Sequence, residues 1–245
     1  MYNFFTWLAA ILAVFIAGAL QGITGFGFAL IAVPLLLLVF DARMAIALNL
    51  LISFSTQVAL SFRVRQGIIK PLLINLFQGS LLGLPLGLYI FLHFDVKELK
   101  IVISILTIGF ALLLLQKNIK IPCPGGHWVQ RLVGSLSGFL TTSIGVPGPP
   151  VILFLNTQGL SKDKFRATSS AYFTLLYPVS LVLLASCGGL NLNIALTAFI
   201  LLPFAFLGSH LGIFLFPRIP QKYFRQGVPL LVIATGIYSL FSTLF

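Results

Sequence analysis

Long stretches of the chain contain no Asp, Glu, Lys or Arg, and this feature most limits what the chain can fold into. Six such stretches of 15 to 26 residues are 45–62, 71–92, 101–115, 167–191, 192–217 and 227–245. A helix needs roughly 20 apolar residues to cross a bilayer. Only 8% of the residues are charged, against about a quarter in soluble domains. Strand-like alternation is absent, which argues against an outer-membrane barrel. The sequence therefore predicts an all-α integral membrane protein.

Two glycine-dense segments, 18–34 and 134–150, interrupt apolar runs and resemble each other. Gly18 precedes Gly134 by 116 positions, and a later Leu-Gly-x-x-Leu-Gly pattern recurs at an offset of 125, with Gly83 preceding Gly208. Internal repeats of this kind are common in secondary transporters. We expect an N-terminal membrane repeat (1–115), a connector loop (116–130) and a C-terminal membrane repeat (131–245). Each repeat has four elements, predicted at 4–40, 45–62, 71–92, 101–115, 131–156, 166–185, 194–216 and 227–245.

The basic residues indicate how the second glycine-dense segment crosses the membrane. If all eight elements span, the 15 basic residues divide six to nine between the two sides. If the fifth element is a hairpin that enters and leaves on one face, they divide twelve to three. Cytoplasmic loops carry an excess of Lys and Arg, so the hairpin is favoured. Its arm, predicted at 131–140, is also only about 15 Å long as a helix, against a hydrocarbon core about 30 Å thick.

The repeat extends this prediction to the first element. Two like halves, each a re-entrant helical hairpin followed by three transmembrane helices, must have opposite topologies. The predicted fold is therefore two inverted-topology repeats of four elements. The alternative is that residues 4–21 simply span, because eighteen apolar residues are nearly enough to do so.

The two breaks carry most of the predicted substrate site. A break in a membrane helix leaves backbone N–H and C=O groups that are costly unless they are satisfied. The start of a half-helix also presents the positive end of a dipole to an anion. The alternative is that the glycines only let helices pack, which we favour for Gly18, Gly22, Gly134 and Gly138. The candidate substrate-binding residues in the breaks are Thr24, Gly25, Phe26, Gly27, Thr141, Thr142, Ser143, Gly145 and Gly148.

Polar residues inside the spans complete the candidate site: Asn49, Gln57, Gln78, Arg166 and Tyr172. Intramembrane polar residues face the interior or a cavity by default. The alternative for the uncharged ones is hydrogen bonding between helices only. The alternative for Arg166 is an ordinary cytoplasmic loop charge.

The sequence predicts no catalytic residues, no metal site and no cofactor. Its four acidic residues, Asp41, Asp95, Glu98 and Asp163, lie at segment ends, and no metalloprotease or serine-base motif is present. The net charge of +11 is scattered over short loops, which argues against nucleic acid as a partner. The expected partners are a small anion and the lipid bilayer, and a homo-oligomer is left open.

Two motifs resemble signatures of the TauE/SafE sulfite-exporter family of membrane transporters. The first is Gly22-Ile-Thr-Gly-Phe-Gly-Phe-Ala-Leu-Ile-Ala-Val-Pro34. The second is Gly145-Val-Pro-Gly-Pro-Pro-Val-Ile-Leu-Phe, followed by Phe165-Arg-Ala-Thr and Tyr172-Phe173. The resemblance covers nearly the whole chain. It implies transport of sulfur-containing anions, such as sulfite or organosulfonates, across a bacterial inner membrane.

The expected function is secondary transport, with export favoured, by alternating access at a midplane site between the two breaks. The same architecture could carry a carboxylate or another anion. A different class of function, an anion channel or a membrane scaffold without transport, also fits the composition.

Overall fold

The computed structural model describes residues 3–64, 66–115 and 126–215, together with residues 233, 234, 236–238, 240 and 241. Regular secondary structure in the three long ranges is entirely helical. The helices are α1 (Phe4–Thr24), α2 (Phe28–Leu36), α3 (Ala42–Arg63), α4 (Lys70–His93), α5 (Val96–Leu115), α6 (His127–Ile144), α7 (Gly148–Thr157), α8 (Lys162–Ser186) and α9 (Leu192–Leu215). The element predicted at 227–245 lies largely outside the described residues, as does most of the predicted connector.

Five of these helices are long and apolar enough to cross a membrane: α1, α3, α4, α8 and α9. The prediction of an all-α, multi-pass membrane protein is therefore confirmed. Within the best spanning window, 61% of α3 and of α8 is buried, against 33% of α1. Of the five spanning helices, α3 and α8 are thus the most enclosed.

Each predicted glycine-dense segment contains a helix break. After α1, Gly25 and Gly27 have φ angles of 84° and 94°, and after α6, Gly145 has a φ of 75°. This left-handed conformation costs other L-residues roughly 1–2 kcal/mol, so glycine is the residue that ends these helices without strain. The breaks therefore lie at 25–27, in the middle of the first glycine-dense segment, and at 145–147, in the second half of the other.

Helices α1 and α9 pack in parallel at very close range. A side chain at Gly18 would collide with the carbonyl oxygen of Ala205, and one at Gly22 would collide with that of Ser209. The contacts advance together along both helices, which makes the pair parallel. The glycines act here as the packing contacts that the sequence favoured.

Helices α4 and α6 form a second pair of the same kind. Side chains at Gly83 and Gly87 of α4 would collide with the carbonyl oxygens of Ser135 and Phe139 of α6. This pair is also parallel. The first element of each predicted repeat therefore packs on the third element of the other.

These contacts correct the predicted offset of 116 between the first elements. In α9, Gly208 meets the carbonyl oxygen of Phe15, and in α4, Gly83 meets that of Ser135. Phe15 and Ser135 are 120 positions apart, as are the helix-ending Gly25 and Gly145. The offset of 116 pairs identical residues in the sequence, but it is four residues shorter than the offset that relates equivalent positions in the structure. Four residues make about one helical turn.

The helical N-caps agree with the offset of 120. The Asp41 carboxylate accepts a hydrogen bond from the Met44 N–H at the start of α3, and the Ser161 hydroxyl accepts one from the Lys164 N–H at the start of α8. Both arrangements satisfy an N–H group that has no partner within its helix. Asp41 and Ser161 are also 120 positions apart.

The predicted short arm at 131–140 is wrong. Helix α6 has 18 residues, or about 27 Å of rise, because it begins at His127 and continues through Gly138 to Ile144. The chain nevertheless turns back after the break. The Ser137 hydroxyl, about 10 Å before the end of α6, donates to the carbonyl oxygen of Pro147 at 2.7 Å. The chain that enters α7 therefore lies alongside α6.

Candidate functional site

A cavity lies where the two breaks meet. Its volume is ≈ 30 Å³, and one buried water needs about 10–15 Å³, so it can hold a group of a few atoms. The first turns of α2 and α7 both face this space. The lining residues are Gln21, Phe26, Gly27, Phe28, Ala29, Leu30, Gln57, Val146, Gly148, Pro149, Ile152, Phe173 and Tyr177. No charged side chain is among these described residues.

Two glutamines form a buried hydrogen-bonded chain at the cavity wall. The Gln21 Nε2 donates to the Gln57 Oε1 at 2.6 Å, and the Gln57 Nε2 donates to the Ser170 Oγ at 2.7 Å. Gln21 and Gln57 are each 1% exposed. The Gln21 Oε1 has no hydrogen-bond partner among the described residues. The chain thus links α1, α3 and α8 and leaves one buried acceptor.

The two half-helices differ in the donors that they present. The first N–H groups of α2 belong to Phe28, Ala29 and Leu30; they have no partner within the helix, and no side chain of the N-cap residue accepts from them. In α7, residues 147, 149 and 150 are prolines, which have no N–H. Backbone donors are therefore concentrated at the start of α2.

Thr24, one of the predicted site residues, stabilises the first break. Its hydroxyl donates to the carbonyl oxygen of Leu20 at 2.8 Å and lies against the carbonyl oxygen of Phe26. The Phe26 N–H donates back to the Thr24 Oγ1 at 3.2 Å. The Phe26 ring lines the cavity and meets the Phe165 ring edge-on at 5.8 Å between centroids.

The hydroxyl groups at the end of α6 donate to backbone carbonyls. Thr141 donates to the Ser137 oxygen at 2.6 Å, and Ser143 donates to the Phe139 oxygen at 2.6 Å. Thr142 reaches across to α4 and donates to the Leu84 oxygen at 2.7 Å. A hydroxyl has one proton to donate, so none of the three offers a free proton to an anion in this structure.

Asn49 holds the second break. Its Nδ2 donates to the carbonyl oxygen of Gly145 at 2.7 Å, and its Oδ1 accepts from the Ser53 hydroxyl at 3.2 Å. The bond satisfies a carbonyl at the end of α6 that the helix itself leaves without a partner. Asn49 therefore shapes the break from outside the cavity lining.

Arg166 stabilises the first break, as Asn49 stabilises the second. Its Nη2 donates to the carbonyl oxygen of Gly22 at 2.9 Å. Its aliphatic carbons also cover Gly25, where a side chain would collide with them. A cation at a helix C-terminus is favourable because of the helix dipole. Arg166 thus ties the start of α8 to the end of α1.

The remaining predicted site residues lie away from the cavity lining. Gln78 is exposed on α4, and Tyr172 is fully buried on α8. Of the predicted set, Phe26, Gly27, Gln57 and Gly148 line the cavity, and Thr24, Gly25, Asn49, Gly145 and Arg166 form or stabilise the breaks. Thr141, Thr142 and Ser143 lie in the last turn of α6, whereas Gln78 and Tyr172 have neither place.

Sequence reasoning missed Gln21 and Tyr177, which line the cavity. Gln21 satisfies the rule that selected Gln57, a polar residue inside an apolar span, but it stands within the glycine run that was interpreted as packing. Tyr177 is one of six tyrosines, and no local pattern separates it from Tyr172.

A comparison with protein-family models matches residues 10–239 to the family described as TauE, sulfite exporter TauE/SafE. The chain belongs to this family. The resemblance seen in the sequence motifs is therefore confirmed. TauE/SafE proteins are membrane transporters rather than enzymes, and the family is one of exporters of sulfite and related sulfur anions. Comparisons with curated proteins and with solved structures give no match.

Proposed function

We propose that this TauE/SafE protein exports sulfite or small organosulfonates across a bacterial inner membrane and binds them in the cavity between the two helix breaks. The observation that carries the proposal is that the first turns of α2 and α7 line one buried space. The uncapped start of α2 presents N–H groups there. Hydrogen bonds to a charged group contribute about 1.5–3 kcal/mol each, so a few of them suffice to hold a small anion.

Alternating access between two inverted repeats is the proposed mechanism. If every connection other than the breaks reverses the chain direction, the parallel α1–α9 pair requires both breaks to be of the same kind. Two spanning breaks would give repeats of the same orientation, and two hairpins would give inverted ones. The bond between Ser137 and the Pro147 carbonyl supports the hairpin at the second break.

Reconstitution into proteoliposomes tests the transport activity. Saturable sulfite flux that is accelerated by sulfite on the opposite side is expected of a carrier. Saturable flux of carboxylates alone would indicate another cargo for the same architecture. Flux that does not saturate would indicate a channel, and the absence of any anion flux would favour a scaffold.

Replacement of Ala29 by proline tests the binding site. The variant removes one N–H group from the second position of α2, where the missing N–H breaks no hydrogen bond within the helix. The equivalent position of α7 already holds Pro149, 120 residues later. We expect about a tenfold or greater rise in the sulfite KM. The matched control is Ala29→Ser, which keeps the N–H; an unchanged KM in Ala29→Pro would place the anion elsewhere.

A further inference from the structure

The free acceptor of Gln21 restricts what the cavity can hold. Gln21 lines the cavity and its Oε1 is buried without a partner, and a buried acceptor left unsatisfied costs about 1–3 kcal/mol. An anion with no hydrogen to donate would bring further acceptors against it. An occupant that presents a donor to Gln21 is therefore favoured over one that presents only acceptors.

The hydrogen-bond chain determines which atom of Gln21 is free. The Gln57 Nε2 lies 3.4 Å from the carbonyl oxygen of Ser170 as well as 2.7 Å from its hydroxyl. A carbonyl oxygen only accepts, so the Gln57 Oε1 faces Gln21. The Gln21 Nε2 must then be the donor to Gln57, which leaves the Gln21 Oε1 as the atom without a partner.

The same cavity offers donors on another side. The N–H groups of Phe28, Ala29 and Leu30 at the start of α2 need an acceptor. The occupant therefore both accepts and donates hydrogen bonds. It must also be small, because the cavity volume is ≈ 30 Å³.

The charge of the occupant is limited as well. No Lys or Arg lines the cavity among the described residues, and the dipole of a helix N-terminus is equivalent to only about half a unit charge. The Born cost of removing an ion from water grows with the square of its charge, so a dianion costs about four times as much as a monoanion. A single negative charge is the better match.

We infer that the transported form is a small oxyanion with one negative charge and one O–H group, such as hydrogen sulfite, rather than the sulfite dianion. The O–H donates to the Gln21 Oε1, and the charged oxygens accept from the first turn of α2. This inference rests on the proposed function and narrows its substrate to one protonation state.

Two groups near the cavity could add a pH dependence of their own. Tyr177 on α8 is the titratable residue among the described lining residues. Arg166, which bonds the end of α1, is accompanied by Asp163 in the first turn of α8. The experiment must separate their titration from that of the substrate.

A pH series with the wild-type protein in proteoliposomes makes this separation. Initial rates are measured at a fixed total concentration of sulfite, and methanesulfonate serves as the reference because it stays a monoanion without an O–H over the whole range. We expect the sulfite rate, divided by the methanesulfonate rate, to follow the hydrogen sulfite concentration as pH falls. A ratio that follows the dianion would overturn the inference.

Replacement of Gln21 by methionine tests the acceptor directly. The variant keeps a similar volume but removes the Oε1, together with the Nε2 that donates to Gln57. The preference for hydrogen sulfite over methanesulfonate should fall about tenfold. The matched control is Gln66→Met, which alters an exposed glutamine in the turn between α3 and α4. If Gln21→Met does not fold, the wild-type pH series still decides.

The outcomes distinguish this inference from the proposed function. Absence of sulfite flux in the wild type would contradict both the proposed function and this inference. Sulfite flux whose preference is unchanged in Gln21→Met would leave the transporter standing and would indicate that a water molecule donates to Gln21 instead.

Discussion

The Arg166 Nη2 donates to the carbonyl oxygen of Gly22 at 2.9 Å, although 144 positions separate the two residues in the chain. Gly22 lies in the last turn of α1, where carbonyl groups have no partner within the helix. The bond connects α8 to the end of α1. It lies two helical turns or less from the cavity that Phe26 and Gly27 line. It stabilises the conformation in which α1 ends and α2 begins.

Removal of this contact should destabilise the protein. For Arg166→Ala we expect a loss of about 1.5 kcal/mol, the lower end for a charged hydrogen bond, because the side chain is partly exposed. Arg166→Lys keeps the charge and should recover part of the loss. Thermal unfolding in detergent measures both. An Arg166→Ala protein that melts like the wild type would show that the bond is not needed for the break.

Asn49 should be equally important at the second break. Asn49→Leu leaves the Gly145 carbonyl oxygen without its donor, and we expect a loss of about 1–3 kcal/mol together with reduced sulfite flux. Ser53→Ala is the control, since it removes the donor to the Asn49 Oδ1 but leaves the bond to Gly145 intact. Equal losses in the two variants would mean that the Gly145 bond has no special role.

Substitution of Thr142 distinguishes a role in helix packing from a role in anion binding. Its hydroxyl donates to the Leu84 carbonyl oxygen of α4, so Thr142→Val should lower thermal stability by about 0.5–1.5 kcal/mol with little change in sulfite KM. Thr142→Ser keeps the hydroxyl and should remain close to wild type. A large rise in KM for Thr142→Val at unchanged stability would restore the original prediction that Thr142 binds the anion.

Close helix packing predicts a large effect from a single methyl group. In Gly212→Ala, the new Cβ would collide with the carbonyl oxygen of Ala19, so α9 and α1 must move apart. We expect a marked fall in melting temperature or no folded protein. Gly109→Ala on α5 meets nothing within 4 Å and should be neutral or gain up to about 1 kcal/mol of helix propensity. Similar melting temperatures for the two variants would contradict the parallel pair.

The positions of the breaks could be predicted because glycine is nearly the only residue that adopts a left-handed backbone without strain. The membrane class followed from long uncharged runs, and the packing role of Gly18 and Gly138 followed from their spacing. The offset that relates equivalent positions of the two predicted repeats could not be predicted from the sequence. The sequence comparison pairs Gly18 with Gly134, whereas in the fold Gly18 corresponds to Gly138, because these two glycines meet equivalent carbonyls on α9 and α4.

The site was harder to predict because hydrogen-bond partners come from distant parts of the chain. Thr142 and Asn49 have the residue types of an anion site, yet they bond to Leu84 and Gly145. Gln21 has no such partner for its Oε1, but its sequence neighbours suggested packing. Which polar group is left free depends on tertiary contacts that no local pattern records.

The two parallel helix pairs that pack through glycines, α1 with α9 and α4 with α6, also set an order of assembly in the membrane. Gly18 of α1 packs against Ala205 of α9, so α1 is synthesised well before its packing surface, which follows 187 residues later. At translation rates of about 5–20 residues per second, α1 waits roughly 10–40 s with its glycine face open to lipid. Helices α4 and α6 are closer in sequence and can dock much earlier. Biogenesis of this protein should therefore be slowest, and most sensitive to mutation, at the docking of α1 onto α9.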